Sequence, residues 1–461
     1  NNNQAEVVRT TDEDFNFFDI SLSALWDLSP KDKLNYHFMT INNGLEFNER
    51  LFTGGISTAS FNEVQQNSLL GGVNYQRNWN QKLTTGLHYS NSTYKANTQN
   101  TQLEQASQKL QKNQVKEQSL KFDTSYVIND DFSIEAGYQH TSTIIDNVEN
   151  PQDATTILSS SNTGITSGFY AQTTAQLFDN KTTVTLGARA TNLSNFKTQI
   201  EPRINISHEL KKHWNVFLSS EKKHQNVLQF TASENQLLGI QNKQWILADG
   251  VQNPLLKSSQ ASFGTDYTLK NWTLNAEVFY KKVDGINTRN LGFRNQLENA
   301  QAIGNYTSQG LEIAVGKKLK NFTSWLSYTY IDSTYEFKTL SPVGFPNNFN
   351  VTHCVNAIAT YTLKDVTISA GAIYHSGLPY TTPRNQTAIS NTSNGPQIQY
   401  NSPNNQTLKH YFRTNLSAVY KTPLDDTFDA VINLSLLNLF DTKNELGRYY
   451  QIQTNLSLIH I

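Results

Sequence analysis

Few residues in this sequence are spaced for chemistry. The closest approach to a phosphate loop is Gly310 to Lys317. Such a loop puts four residues between its glycines, then a lysine, then a Ser or Thr for magnesium. Here the spacer is one residue too long, and Lys318 stands where the hydroxyl belongs. The segment also alternates like a strand, which cannot wrap a phosphate. His353 and Cys354 are both metal-capable, but adjacent strand residues point to opposite faces. A polar wall position accounts for them. The histidines, ten in all, are scattered, and no His-Glu-x-x-His, Cys-x-x-Cys or Gly-x-Ser-x-Gly occurs. Sequons such as Asn91-Ser92-Thr93 follow from an Asn- and Thr-rich composition. The expectation is no catalytic, cofactor-binding or metal-binding residue, no cofactor, and no enzymatic activity.

The composition points to a wall. Of the 461 residues, 37% are hydrophobic, 11% aromatic and only 16% charged. A soluble domain with a thick core carries about a quarter charge and more aliphatic residues. A sheet one residue thick, with lipid on one side and water on the other, needs neither. Lys+Arg is 37 and Asp+Glu is 38. That balance lacks the basic footprint of a nucleic-acid binder. The single cysteine, Cys354, excludes an intrachain disulfide framework. No apolar run is long enough for a transmembrane helix.

Period-two alternation dominates the chain. In Val366 to His375, Val366, Ile368, Ala370, Ala372 and Tyr374 share a face opposite Thr367, Ser369, Gly371 and His375, with Ile373 the exception. Trp272, Leu274, Ala276, Val278 and Tyr280 repeat the pattern, as do Val355, Ala357, Ala359, Tyr361 and Leu363. Extending this reading along the chain gives roughly 18 strands of about 9–12 residues, the length of a tilted membrane-crossing strand. Aromatics close many apolar faces: Trp26, Tyr126, Tyr138, Trp272, Tyr280, Tyr361, Tyr374 and Tyr420. Rings favour the lipid–water boundary, so these read as a girdle.

The connections alternate in length. Short ones include Asp27 to Asp32, Asn129 to Asp130, Lys270 to Asn271, Lys320 to Asn321 and Lys364 to Asp365. Between them lie long polar stretches: Asn42 to Asn67, Asn91 to Glu117, Thr143 to Gly164, Glu221 to Lys257, Asp284 to Tyr306, Asp332 to Thr352 and Ser376 to His410. Asn192 to Lys197 is short where a long one is due. This is the layout of tight periplasmic turns and long extracellular loops. Within one long stretch, Gln102 to Glu117 reads as a short helix or as disorder. The fold class expected is all-β, a transmembrane antiparallel up-and-down barrel.

Strand direction follows. The first clear strand precedes a short turn and so runs inward; the last follows one and so runs outward. A complete bacterial barrel begins and ends in the periplasm. Both ends of the barrel are therefore expected to be missing. The start at Asn1-Asn2-Asn3-Gln4, with no Met and no export signal, is read as a cut.

A series of short blocks runs in order along the chain. It includes Trp245 to Asp249, Asn253 to Lys257 leading into a strand from Ser262, and Ala276 to Ile286. Gly304-Asn305-Tyr306, Gly310-Leu311-Glu312, Trp325 to Tyr328, Phe345 to Asn348 and His353 continue it, and His375 to Thr381, Arg413 to Ser417 and Leu437 to Asn444 close it. Taken in this order, the blocks resemble the C-terminal barrel of TonB-dependent receptors, particularly those of Bacteroidota. The series runs from about Gly187 to Asn444; the N-terminal part matches in style only. The family's plug domain and TonB-binding box find no counterpart in the sequence. Set against the family's ~22 strands, the roughly 18 seen here correspond to the fourth to the twenty-first.

The resemblance implies an integral outer-membrane protein that imports a scarce, bulky ligand by energy-coupled transport. Ferric siderophores, haem, cobalamin and glycans are the family's substrates. The implied partners are the TonB complex, engaged through the plug and its box, outer-membrane lipid and lipopolysaccharide, an extracellular ligand, and a surface lipoprotein. The rivals are a passive porin-like channel and an adhesive or structural surface β-protein. Tyr380, Trp245, Phe293 and Arg294 are loop residues able to touch a ligand or simply to pack, and none is assigned as a site. The domain expected is residues 1–455. Residues 456–461, Leu456 to Ile461, match what a sequencing adapter encodes when read in frame, and are expected not to be native. Resequencing the locus checks this: native codons continuing into a strand would overturn it.

Overall fold

The computed structural model describes residues 7–53, 56–102, 107–150, 157–237, 240–293, 295–297, 300–385, 388–392, 395–425, 427–448, 450–452 and 458–460. Nineteen of its strands belong to one sheet, and the described pairings are antiparallel between strands adjacent in the chain or separated only by loop elements. The chain divides into two compact units. Residues 1–174, 187–202 and 224–255 form the first, and residues 175–186, 203–223 and 256–461 the second.

The first unit holds β1 (Val7–Ser29), β2 (Asp32–Thr53), β3 (Ile56–Asn78), β4 (Leu83–Gln102), β5 (Ser107–Asn129) and β6 (Phe132–Asn150). β7 (Leu158–Leu177), β8 (Thr182–Leu193), β9 (Gln199–Lys211) and β10 (Trp214–Gln225) give one part to each unit. A separate hairpin, β11 (Val227–Leu237) and β12 (Ile240–Leu247), lies against β5 and β6.

These strands are longer than the alternation alone marks. The polar stretches 42–67, 91–117 and 143–164, expected as loops, are largely strand. The β2–β3 ladder runs unbroken from Asp32↔Arg77 to Thr53↔Ile56. Beyond the apolar zone both faces carry Asn, Thr, Gln and Ser, so the period-two signal vanishes. The main chain keeps its register because continuing the ladder satisfies every N–H and C=O. The described residues of Gln102 to Glu117 are not helix either. From Ser107 onward they are β5, held in register by β4 on one side and, from Leu110, by β6 on the other. Pairing on both edges overrides the helix preference of its Gln, Lys and Glu.

The second unit contains β13 (Leu256–Leu269), β14 (Trp272–Asn287), β15 (Ile303–Lys318), β16 (Phe322–Glu336), β17 (Gly344–Pro346), β18 (His353–Leu363) and β19 (Val366–His375). Short loop strands follow: β20 (Pro379–Tyr380), β21 (Ile389–Thr392), β22 (Gly395–Ile398) and β23 (Gln406–Thr407). β24 (Tyr411–Pro423) and β25 (Asp429–Leu436) return to the sheet, and β26 (Tyr450–Ile452) pairs with β27 (Leu458–His460). Leu456, Ser457 and Ile461 lie outside the described residues.

In the tight turns, Lys270 and Lys364 take φ values of +52°. The one helical element described is a single 3-10 turn, Thr288–Asn290.

The sheet is inside out relative to a soluble protein. On β14, Trp272, Leu274, Val278 and Tyr280 are 37–50% exposed, while Thr273, Asn275 and Glu277 between them are more covered. Tyr361 and Leu363 on β18 and Ile368 and Tyr374 on β19 are exposed likewise. An apolar belt of this extent is a liability in water and a requirement in lipid. Trp272 and Tyr280 sit eight residues apart, about 27 Å along the strand. At a tilt of about 40° that is roughly 20 Å of height, close to the apolar band of an outer-membrane barrel.

The two faces of β14 make a sharp test. Val278→Lys puts a charge in the belt and should cost about 2–4 kcal/mol of folding free energy in lipid vesicles. Glu277→Lys, on the polar face directly opposite Glu312, should be neutral or stabilising by a few tenths of a kcal/mol. Equal costs from denaturant titrations would show that the faces are misassigned.

Candidate functional site

The polar face is built from ladders of short polar side chains with ion pairs among them. In the first unit, His88 lies 2.9 Å from Asp123 and 2.8 Å from Asn74, and Lys121 approaches the same carboxylate at 2.9 Å. Arg189 donates to Gln139 Oε1 at 3.1 Å and Thr191 Oγ1 at 3.1 Å. Thr191 Oγ1 donates in turn to Glu201 Oε2, and Glu201 Oε1 accepts from the His224 backbone, both at 2.8 Å. In the second unit Glu221 accepts from Lys223 at 2.7 Å, Gln260 at 2.7 Å and Arg203 at 3.2 Å. Each carboxylate is shared between donors on different strands, so the wall is braced while its polar surface is kept.

The connections of the second unit form a packed layer. Val283, Ile286, Phe293, Leu297, Tyr335, Phe337 and Phe345 bury one another, with Tyr335 and Phe337 almost fully enclosed. The rings of Phe293, Tyr335, Phe337 and Phe345 meet at 5.7–5.9 Å. Burial pushes the Tyr335 phenol far above its ordinary value.

Asparagines lock three connections together. Asn295 Nδ2 donates to Thr381 Oγ1 at 2.8 Å, Asn348 Nδ2 to the Leu291 carbonyl at 3.1 Å, and Asn404 Nδ2 to the Pro346 carbonyl at 2.7 Å. Gly377 is obligatory here, since a Cβ would fall on the Leu408 carbonyl. The Arg448 guanidinium stacks 4.8 Å from the Tyr380 ring, donates to its hydroxyl at 2.9 Å, and pairs with Glu445 at 2.6 Å.

In the first unit, the Asp249 carboxylate accepts from the Val251 backbone at 2.8 Å, and from the Asn253 backbone and side chain at 2.9 and 3.1 Å. Burial acts to raise its pKa, but these donors outweigh it and hold the carboxyl below its usual range. A cavity of about 360 Å³ opens beside it, lined by polar residues such as Asn162, Ser194, Asn226 and Asn253 and by apolar ones such as Phe196 and Leu247.

A family model described as TonB dependent receptor-like, beta-barrel, matches residues 8–439. The chain belongs to the TonB-dependent receptor family. No curated protein matches it. Among solved structures, the ferric citrate transporter FecA in its unliganded form aligns at TM-score 0.62 and 12% identity, over 98% of this chain and 76% of that one. The ferric preacinetobactin receptor BauA from Acinetobacter baumannii aligns at 0.61 and 11%, over 99% and 77%. The ferric-catecholate import receptor Fiu from E. coli K12 aligns at 0.60 and 11%, over 97% and 78%. At such identities these alignments establish a shared fold. Membership places the chain among outer-membrane proteins of TonB-dependent transport.

The residues singled out in the sequence have separate fates in this receptor. Gly310 to Lys317 lies within β15, paired on both edges, and cannot wrap a phosphate. His353 faces the apolar side, 3.0 Å from the Tyr328 hydroxyl, while Cys354 is the cross-strand partner of His375 on the opposite face. Among the described residues, no three His, Cys, Asp or Glu side chains are placed to hold a metal.

Phe293 is buried in the core of the loop layer. Trp245 sits in β12, its carbonyl accepting from Asn147 Nδ2 at 3.1 Å. Tyr380 is ordered under Arg448, and Arg294 lies outside the described residues. Arg448, Asn404 and Asn295 escaped sequence reading, because an isolated polar residue in a long connection carries no periodic signal.

Two measurements test these connections, one in each unit. Phe337→Ala should cost the loop layer about 3–5 kcal/mol. Hydrogen exchange should quicken across 288–302 and 337–352 while β14 to β16 stay protected. The lowered Asp249 pKa means its contribution is complete above the ordinary value of 3.8 and is lost as pH falls through the lower folded value. Asp249→Asn should therefore loosen 249–253 at neutral pH, and the parent protein should match it only in stronger acid. Equal protection at neutral pH would refute the role.

Proposed function

We propose that this chain is the barrel wall and loop platform of a Bacteroidota-type receptor that imports a scarce, bulky ligand by energy-coupled transport. In this reading the sheet closes with further strands into a barrel of ~22. The short turns face the periplasm and the long connections face outward. A plug domain fills the lumen, against the braced polar face, and TonB pulls on it. The domain spans residues 1–455, with 456–461 adapter-encoded.

One observation carries the proposal: the connections of the second unit are cross-locked into a layer with its own aromatic core. A channel that only sieves solutes has no need of a pre-ordered surface at its mouth, whereas a receptor does, because order already present is not charged against binding. Ferric complexes are the first ligand class to try, since the solved receptors of similar fold include a ferric citrate transporter and a ferric-catecholate import receptor. Haem, cobalamin and glycans follow.

The experiment is uptake of a panel of labelled ferric siderophores by cells expressing the full-length gene, with and without TonB. Saturable uptake lost in cells without TonB is the expected result. Linear, TonB-independent flux would establish the porin, and no flux with cell-surface adhesion would establish the adhesive protein. Within an active receptor, Tyr380→Ala with Arg448→Ala should weaken ligand binding at least several-fold in equilibrium titrations if that corner of the platform is the contact.

A further inference from the structure

The exposed apolar face of the second unit is not uniformly convex. A groove of about 800 Å³ crosses it, lined almost wholly by apolar atoms. Its floor is made of small side chains in register: Ala359 faces Ser324 and Ala370, and Ala357 faces Leu326 and Ala372. Its banks are large: Trp272 and Phe322 at the turn end, and Leu326 and Leu416 higher up. The alternating sequence already put these alanines on the lipid side. What it did not show is that they stand side by side on β18 and β19, so that the missing side-chain volume adds up to one trough.

The groove has a direction. It starts at Trp272 and Phe322, each the first residue after a tight turn, and reaches Ala372 and Thr414, about six residues up the strands. Six residues span roughly 20 Å, or about 15 Å of height at a 45° tilt. That is half of the ~30 Å hydrocarbon core, one leaflet deep.

The turn end is also basic. The three tight turns beside the groove carry Lys270, Lys320 and Lys364, and the end of β15 adds Lys317 and Lys318, against the single acid Asp365. Lys317 lines the groove, with its ammonium 4.0 Å from the Trp272 ring centroid. No carboxylate lies within ion-pair distance of these lysines among the described residues. A trough one leaflet deep, apolar along its length and cationic at its membrane-surface end, complements one class of molecule: an anionic lipid with a fatty chain and a phosphate.

We propose that this groove is a specific site for an anionic diacyl phospholipid. One acyl chain lies over Ala357, Ala359, Ala370 and Ala372, and the phosphate sits among Lys317, Lys320 and Lys270. The site rests on the reading that the apolar belt faces hydrocarbon and that the short turns mark the phospholipid leaflet. Filling the trough substitutes acyl contacts for the side-chain contacts the alanines lack, and a void left there would forfeit that dispersion energy.

The test is native mass spectrometry of protein extracted from outer membranes in detergent, exposed to equal phosphatidylglycerol and phosphatidylethanolamine. The expected result is retention of one phosphatidylglycerol at activation energies that strip detergent. Ala359→Phe with Ala370→Phe fills the trough and should abolish retention of both lipids. Lys317→Gln with Lys320→Gln should lower phosphatidylglycerol retention at least several-fold and leave phosphatidylethanolamine unchanged. A heat-modifiable gel shift reports separately whether each variant is a folded barrel; its absence in the parent protein would sink the membrane reading itself. Should the filled variant fail to fold, quenching of parent-protein tryptophan by brominated phosphatidylglycerol, in excess of the brominated ethanolamine lipid, decides alone. Equal quenching, or equal lipid retention by parent and variants, overturns the site. So does a lipid-free dimer that the filled variant loses, since the face would then be an interface between copies.

Discussion

Every backbone N–H and C=O of a chain crossing hydrocarbon must be paired within the protein, because lipid offers no partner. The rest of this receptor depends on that constraint. It compels long antiparallel ladders, such as the one from Val7↔Thr53 to Ser29↔Asp32. Ladders make a wall one residue thick, and a thin wall has no ordinary core. Hence the inversion of the usual burial pattern, with Trp272, Tyr280, Tyr361 and Ile368 outermost. Side-chain hydrophobicity here is matched to the solvent outside rather than to a protein interior.

The opposite face obeys a different rule. Carboxylates such as Asp123, Glu201 and Glu221 are each shared by donors from two or more strands. Such sharing stiffens the wall laterally, where main-chain bonds alone leave side chains free. It also keeps that face charged and polar.

Beyond the belt the constraint relaxes, and the two units use the freedom differently. In the first, hairpins simply continue as polar strands, and β11 and β12 fold back on β5 and β6. In the second, the β14–β15 and β15–β16 ladders run on to Asn287 and Glu336, and their ends join the connections in a small aromatic core around Tyr335 and Phe337. That core, pinned by Asn295, Asn348 and Asn404, holds Tyr380 and its neighbours in place. A receptor gains affinity from such order because little conformational entropy remains to be lost on binding.

Period two was legible by itself along β14, β18 and β19, because on those strands one side meets lipid and the other water, and each residue's type reports its side. The short turns and the family blocks were legible for a similar reason: tight geometry and close backbone approach, as at Gly377, restrict residue type locally. Where both faces are polar, the signal failed. Asn42 to Asn67 and Gln102 to Glu117 looked like loops or helix, yet cross-strand hydrogen bonds, which no local window contains, hold most of them as strand. The same limit holds in the loops. Phe293, open from sequence to either ligand contact or packing, is core, and Arg448, which carries no periodic signal, covers Tyr380. Which loop residues pack and which remain available depends on contacts between residues 68 or 86 positions apart. Only the folded chain brings those together.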